Sequence, residues 1–142
     1  MIRRETSFIL LLVSITSVAC NGEHYPGKPD LPQSIPPAWT LKGFQDSAML
    51  TTQPPGLPAG VPAQCGKALY AGGQEGLAEV WICGYTQEGS AFNALQRTPA
   101  EANTVKLQEG RRLALVKWNG TSREEVKALV VAIQKALRKS DH

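Results

Sequence analysis

The run from Gln64 to Tyr85, "QCGKALYAGGQEGLAEVWICGY", constrains the fold more than any other stretch of the chain. "KALYA" and "LAEVWICGY" are rich in strand formers and "GGQEG" between them is turn chemistry, so the pattern predicts an antiparallel hairpin. If Ala71 faces Leu77, the numbers of every facing pair sum to 148, and Cys65 then faces Cys83. Facing residues at the non-hydrogen-bonded pairs of such a ladder come close enough for a disulfide. Cys65 and Cys83 are therefore expected to be bonded, closing a loop worth about 3 kcal/mol. With no second pair of ligands beside them, the two do not make a zinc site.

Along the second run Ala78, Val80 and Ile82 face one way, and Leu77, Glu79, Trp81, Cys83 and Tyr85 the other. The aliphatic set is expected in the core and the Glu79/Trp81 face partly exposed. Trp81 and Tyr85 then form a candidate binding face for a sugar ring or a peptide, although aromatic side chains more often cover a sheet.

Further along, "EGSAFNALQRTPAEANT" is expected to hold a helix capped by Ser90, with Phe92 and Leu95 on its buried side. Thr98-Pro99-Ala100-Glu101 has capping-box spacing and reads as a break followed by a further short turn. "TVKLQ", the tight "EG" turn and "RRLALVKW" predict a second hairpin. After the Asn119-Gly120 turn, Thr121 and Ser122 each have a Glu three residues on, which marks a helix start. Val126, Leu129, Val130, Ile133 and Leu137 follow helical spacing and form one stripe, while Lys127, Lys135, Arg138 and Lys139 lie off it. The order strand, strand, helix, strand, strand, helix predicts an α+β domain over residues 65–142. Its antiparallel sheet has four or more strands in ββαββα order, with helices mainly on one face and a long C-terminal amphipathic helix. Ahead of it, residues 39–64 read as a loop-rich lead-in, in which "AWTLKGF" offers a short edge strand and "TTQPPGLPAGVPAQ" is loop.

The first 19 residues have the make-up of an export signal. Arg3 and Arg4 supply a positive start, "FILLLVSI" an apolar stretch, and Ser17-Val18-Ala19 small residues before a cut. The apolar stretch is shorter than the ~18–20 residues that span a bilayer. "SVAC" resembles the bacterial lipoprotein lipobox: Val18, Ala19 and Cys20 conform, and Ser17 departs from the usual Leu. That resemblance implies that Cys20 becomes the first residue of the mature chain and carries acyl chains, two or more of which hold a protein stably on a membrane. It also implies outer-membrane sorting, because Asn21 rather than Asp follows. "NGEHYPGKPDLPQSIPPA" has five prolines and no apolar periodicity, so residues 20–38 read as a lipidated cysteine and a poorly ordered tether. Lipidation of Cys20 also removes an odd thiol and leaves Cys65 and Cys83 as a pair. The alternative is an ordinary cut after Ala19 and a soluble secreted or periplasmic protein.

Chemistry is sparse. His24 lies in the tether and His142 is the last residue, so neither is placed as a general base or metal ligand. Glu79 and Glu88 are the carboxylates nearest to an acid–base pair, the basis for reading a minor hydrolase. The net charge of +3 is too small for a nucleic-acid partner. It is uneven, with ten Lys/Arg against five Asp/Glu from Arg97 onward and three against six from Cys20 to Gln96. A basic C-terminal part suits an acidic partner or anionic headgroups, although such a run is more often a solvated helix face. From Tyr70 to Leu137 the layout loosely resembles uncharacterised bacterial envelope proteins, in the "GLAEVWICGY…AFNALQR" and "LALVKW…LVVAIQKAL" runs. That resemblance carries no activity. No cofactor or metal is expected. The expectation is a non-enzymatic module, held to the membrane through lipid on Cys20 and binding an envelope protein or the cell wall. The other two readings are a small-ligand module for a carbohydrate or peptide and the carboxylate hydrolase.

Overall fold

The hairpin predicted from the facing cysteines is the centre of an antiparallel sheet. The computed structural model describes residues 24–46, 54, 56–57 and 62–140. The strands are β1 (Ser34–Ile35), β2 (Trp39–Gln45), β3 (Gln64–Ala71), β4 (Leu77–Gly84), β5 (Thr104–Glu109) and β6 (Arg112–Asn119), and the helices α1 (Glu88–Arg97) and α2 (Arg123–Lys139). The six strands lie in the order β1-β2-β3-β4-β6-β5, every pair antiparallel. The β3–β4 register is the expected one, with Ala71 facing Leu77 and Cys65 facing Cys83. The second hairpin turns through Gly110 and Arg111, Gly110 supplying the positive φ of 56° that a two-residue turn needs. The class is α+β with the C-terminal helix in place. Two further strands precede the ββαββα order, so the element order is ββββαββα. Sheet formation runs past the lead-in because Trp39 is buried and draws the "AWTLKGF" segment fully into the sheet.

The helices take opposite faces of the sheet rather than mainly one, a consequence of the period-2 alternation along β4 and β6. Ala78, Val80, Ile82, Ala114, Val116 and Trp118 pack with Val126, Leu129, Ile133 and Leu137 of α2. Cys83, Tyr85 and Leu113 point the other way and pack with Ala91 and Ala94 of α1. Each of the four large aliphatic side chains of α2 contributes about 1.5–3 kcal/mol by leaving water. Ser122 caps α2 through a complete capping box with Glu125. Val130 of the expected stripe is half-buried and Ala136 joins the core instead.

Helix α1 departs from expectation. It starts two residues before Ser90, behind an N-cap at Gln87, and Phe92 is half exposed at 50%. Ala91 and Ala94 form its buried side because only small residues let the helix lie close to Leu113 and the cystine. Thr98 ends the helix, its hydroxyl donating to Ala94 O at 2.6 Å. Lys106 donates to the Leu95 and Thr98 carbonyls, a cation at the negative end of the helix. After the break at Thr98-Pro99 the expected short turn is present, at Ala102 and Asn103.

Residues 24–38, expected to form a poorly ordered tether, run as a strap across the domain. The His24 carbonyl accepts from Arg111 at 2.8 Å and the Gly27 carbonyl from Arg112 at 3.0 Å. Lys28 Nζ stands 4.3 Å from the centre of the Phe44 ring. The Tyr70 hydroxyl donates to Pro32 O at 2.8 Å. Burial pushes the Tyr70 phenol up to about 12, so it keeps the proton it donates. Leu31 and Ile35 enter the α2-side core, and Ile35 faces Trp39 across the β1–β2 turn.

At the free edge of β5, Glu109 Oε1 accepts from Arg138 and Gln134, both at 3.0 Å. The hydrogen bond from Arg138 is the main influence holding the Glu109 carboxyl below its ordinary value. Because the folded pKa is depressed, the stability this pair lends is present in full above the ordinary carboxylate range. It disappears as pH falls through the lowered value. Arg138 is largely exposed, so the contribution is modest, about 0.5 kcal/mol. Glu109→Gln is expected to lower urea stability by that amount at neutral pH and to match the wild type once pH lies below the folded pKa of Glu109.

Candidate functional site

The sheet places the singled-out residues at two opposite ends. Where β3 begins and β4 closes, Cys65 and Cys83 are joined in a disulfide, their Cα atoms 4.0 Å apart. That is near the closer of the two spacings an antiparallel ladder offers. The bond lies against Tyr85, Ala91, Ala94 and Leu113, in the small core under α1. The β5–β6 turn and the start of the strap stand at this same cysteine end. At the other end are the β3–β4 turn with Gly72, Gly73 and Gly76, and the start of α2.

Trp81 and Tyr85 do share a face, and that face is partly exposed at Leu77 and Glu79, but the two rings themselves are buried, at 3% and 1% exposure. The alternation that turns Ala78, Val80 and Ile82 toward α2 sends Trp81 and Tyr85 toward the α1 side. That side is covered around these two rings but open further along, where Leu77 is 48% exposed and Glu79 half-buried. Neither ring is open to stack on a ligand. Lys67, which faces Trp81 across the ladder, holds its Nζ 5.1 Å from the indole centre. Trp81 Nε1 is buried with no hydrogen-bond partner among the described residues. The aromatic pair is core, the alternative that the sequence left open.

The carboxylates do not converge. Glu79 faces Lys117 on β6, near the glycine end. Glu88 opens α1 beyond the far end of β4, roughly 17 Å away along the strand. Among the described residues no group of three or more His, Cys, Asp and Glu is placed to hold a metal ion. His24 contributes only its backbone carbonyl to the contact with Arg111. Cys20 and His142 lie outside the described residues.

Two concavities stand out. At the glycine end a cleft of about 610 Å³ is walled by Trp39, Ala38, Gly72, Gly73, Thr121 and Glu124. The indole of Trp39 lies so close over Gly72 that a Cβ there would meet its ring at 3.1 Å. Trp39 Nε1 donates to the Glu125 carbonyl at 2.9 Å, which fixes the ring against the start of α2. The Glu125 carboxylate is occupied by Thr121 and the Ser122 backbone, leaving Glu124 exposed at the rim. Such a cleft offers an apolar wall, a glycine floor and two carboxylates, Glu124 and Glu125, of which Glu124 is the one not engaged by Thr121 and Ser122. The second concavity, about 670 Å³, runs between the strap and α2 and is lined by Asp30, Leu31, Pro32, Lys135, Ala136 and Lys139. Sequence reasoning missed both, because each needs the strap folded back on the domain. Trp39 was visible as part of the "AWTLKGF" edge strand, but what it packs against was not.

No family model, curated protein or solved structure matches this chain.

Proposed function

We propose that this is a lipid-anchored protein of the bacterial cell envelope whose domain is a non-enzymatic binding or structural module. Cys20 carries the lipid, and the attachment is to the periplasmic face of the outer membrane. The reading draws on the lipobox-like "SVAC" and on the apolar stretch ahead of it. One structural observation carries it furthest: Cys65 and Cys83 form a disulfide. Such bonds belong to oxidising compartments and account for both cysteines of the described domain, which leaves the third, Cys20, for other chemistry. Among the described residues no helix is long and apolar enough to cross a membrane, so retention there would fall to the acyl chains. With the strap starting at the cysteine end, the glycine end and its Trp39 cleft face away from the anchor. That is the surface a partner in the envelope would meet.

The test is intact mass and detergent phase partitioning of the membrane fraction, for wild type and Cys20→Ala. The expected wild-type mass exceeds the chain from Cys20 onward by its acyl groups, the protein enters the detergent phase, and Cys20→Ala moves it to the aqueous phase. A wild-type mass equal to the bare chain overturns the reading.

A further inference from the structure

The strap shortens the connection between anchor and domain. Read as a free tether, residues 20–38 would let the domain wander tens of ångströms from the bilayer. In the structure the chain is already docked at His24, and only Asn21, Gly22 and Glu23 separate it from Cys20. Four residue steps span at most about 14 Å. The cysteine end of the domain, where His24 meets Arg111, is thus confined close to whatever holds Cys20.

What that end presents is a basic helix terminus. Arg138 bonds to Glu109, two residues before the Arg111 that holds His24. The last turns of α2 therefore lie beside the point where the chain leaves the domain. From Val126 to Ser140 the helix carries Lys127, Lys135, Arg138 and Lys139 and no carboxylate. Lys135 and Lys139 are exposed and line the groove against the strap, and Arg138 is 65% exposed. Of the carboxylates near this surface, Glu109 pairs with Arg138 and offsets its charge, Asp30 lines the groove and Asp141 follows the helix in sequence. Asp46 and Glu88 stand at the same end on other elements. Lys135 and Lys139 are left without an ion-pair partner among the described residues. The apolar stripe of α2 is spent on the sheet, and among the described residues Val131 is the single large aliphatic exposed beside these cations, so this surface would act mainly by charge.

We propose that Arg111 and the last two turns of α2, through Lys135, Arg138 and Lys139, rest on anionic phospholipid headgroups of the membrane that holds Cys20. The inference rests on the anchoring proposed above and adds a second contact that orients the domain, cysteine end down and glycine end outward. Clustered cations next to an anionic surface each strengthen binding about fivefold, within a Debye length. The anchor keeps them inside that range.

The experiment uses the mature chain from residue 20 onward carrying Cys20→Ala, so that no acyl chain contributes, with vesicles of phosphatidylcholine alone or mixed with phosphatidylglycerol. Binding is expected to the mixed vesicles only and to fall as salt rises. Lys135→Gln with Lys139→Gln should weaken it about 25-fold. Lys117→Gln with Arg123→Gln, cations at the glycine end, should leave it unchanged. Equal binding to both vesicle types, or equal loss in the two double variants, overturns the proposal. Failure of the anchor itself shows separately, as an unmodified wild-type mass.

Discussion

Truncating the strap's two buried side chains, Leu31→Ala with Ile35→Ala, is expected to destabilise the protein by about 5 kcal/mol in urea melts monitored by tryptophan fluorescence. Both side chains are nearly inaccessible, at 6% and 5% exposure, and both touch the core that α2 closes. Large-to-Ala changes at such sites cost about 2–5 kcal/mol each, with values at the lower end where an edge can relax into the gap. A sum near 5 kcal/mol is comparable to the whole stability of a small domain, so the double variant should be substantially unfolded at 37 °C. A detached tether would give no change at all. A midpoint equal to wild type would therefore show that residues 24–38 are not part of the folded unit. The same outcome would lengthen the link to Cys20 and remove the confinement on which the headgroup contact depends.

The strap was illegible in the sequence for a physical reason. Strand and helix patterns announce themselves through periodicity, because a repeating backbone presents side chains at fixed intervals. The strap has no repeat: its hydrogen bonds go out to Arg111, Arg112 and Tyr70 rather than along itself. Its two core residues are four apart among prolines. Five prolines signal resistance to helix and to long strands, which is true of the strap outside the two residues of β1, but they say nothing about whether an extended segment finds a groove. The partners gave no cue either, since Arg112 and Tyr70 read from sequence as ordinary strand residues.

Elsewhere legibility followed the range of the interaction. The β3–β4 register was readable because a short turn and two cysteines fix it locally. The start of α2 was readable because its cap lies within four residues. The orientation of α1 was not, because Ala91 and Ala94 are buried by what α1 lies on and Phe92, the larger apolar residue, is left outside. Trp81 and Tyr85 were placed on the right shared face. Whether the two rings are open depends on what covers that face around them, while Leu69 and Leu77 further along the same face stay exposed, a division that alternation along one strand cannot reveal.

Gly120→Ala is the second large effect, and it is expected to cost about 3–4 kcal/mol, read as a lowered urea midpoint with an unchanged slope. Two independent terms add. Gly120 has a φ of +71°, a left-handed conformation that costs about 1–2 kcal/mol for a residue with a Cβ. In addition, a Cβ at this position would lie 2.5 Å from the Glu75 carbonyl oxygen, and overpacking of this kind costs a further ~1–3 kcal/mol. The obstacle is backbone, so no side-chain rotation relieves it, and Glu75 itself sits at a φ of 53° with little freedom to withdraw. Gly43→Ala is the matched comparison: it has nothing within 4 Å of the added Cβ, and it should be neutral or slightly stabilising. The "NG" pair announced a turn at this point, whereas the contact with Glu75, on a different hairpin, comes only from the fold. The contact joins the β3–β4 turn to the start of α2, the two elements that wall the Trp39 cleft. A loss in Gly120→Ala much larger than in Gly43→Ala would thus show that the outward face of the domain is built on one glycine. Equal effects would mean the two walls are not in contact.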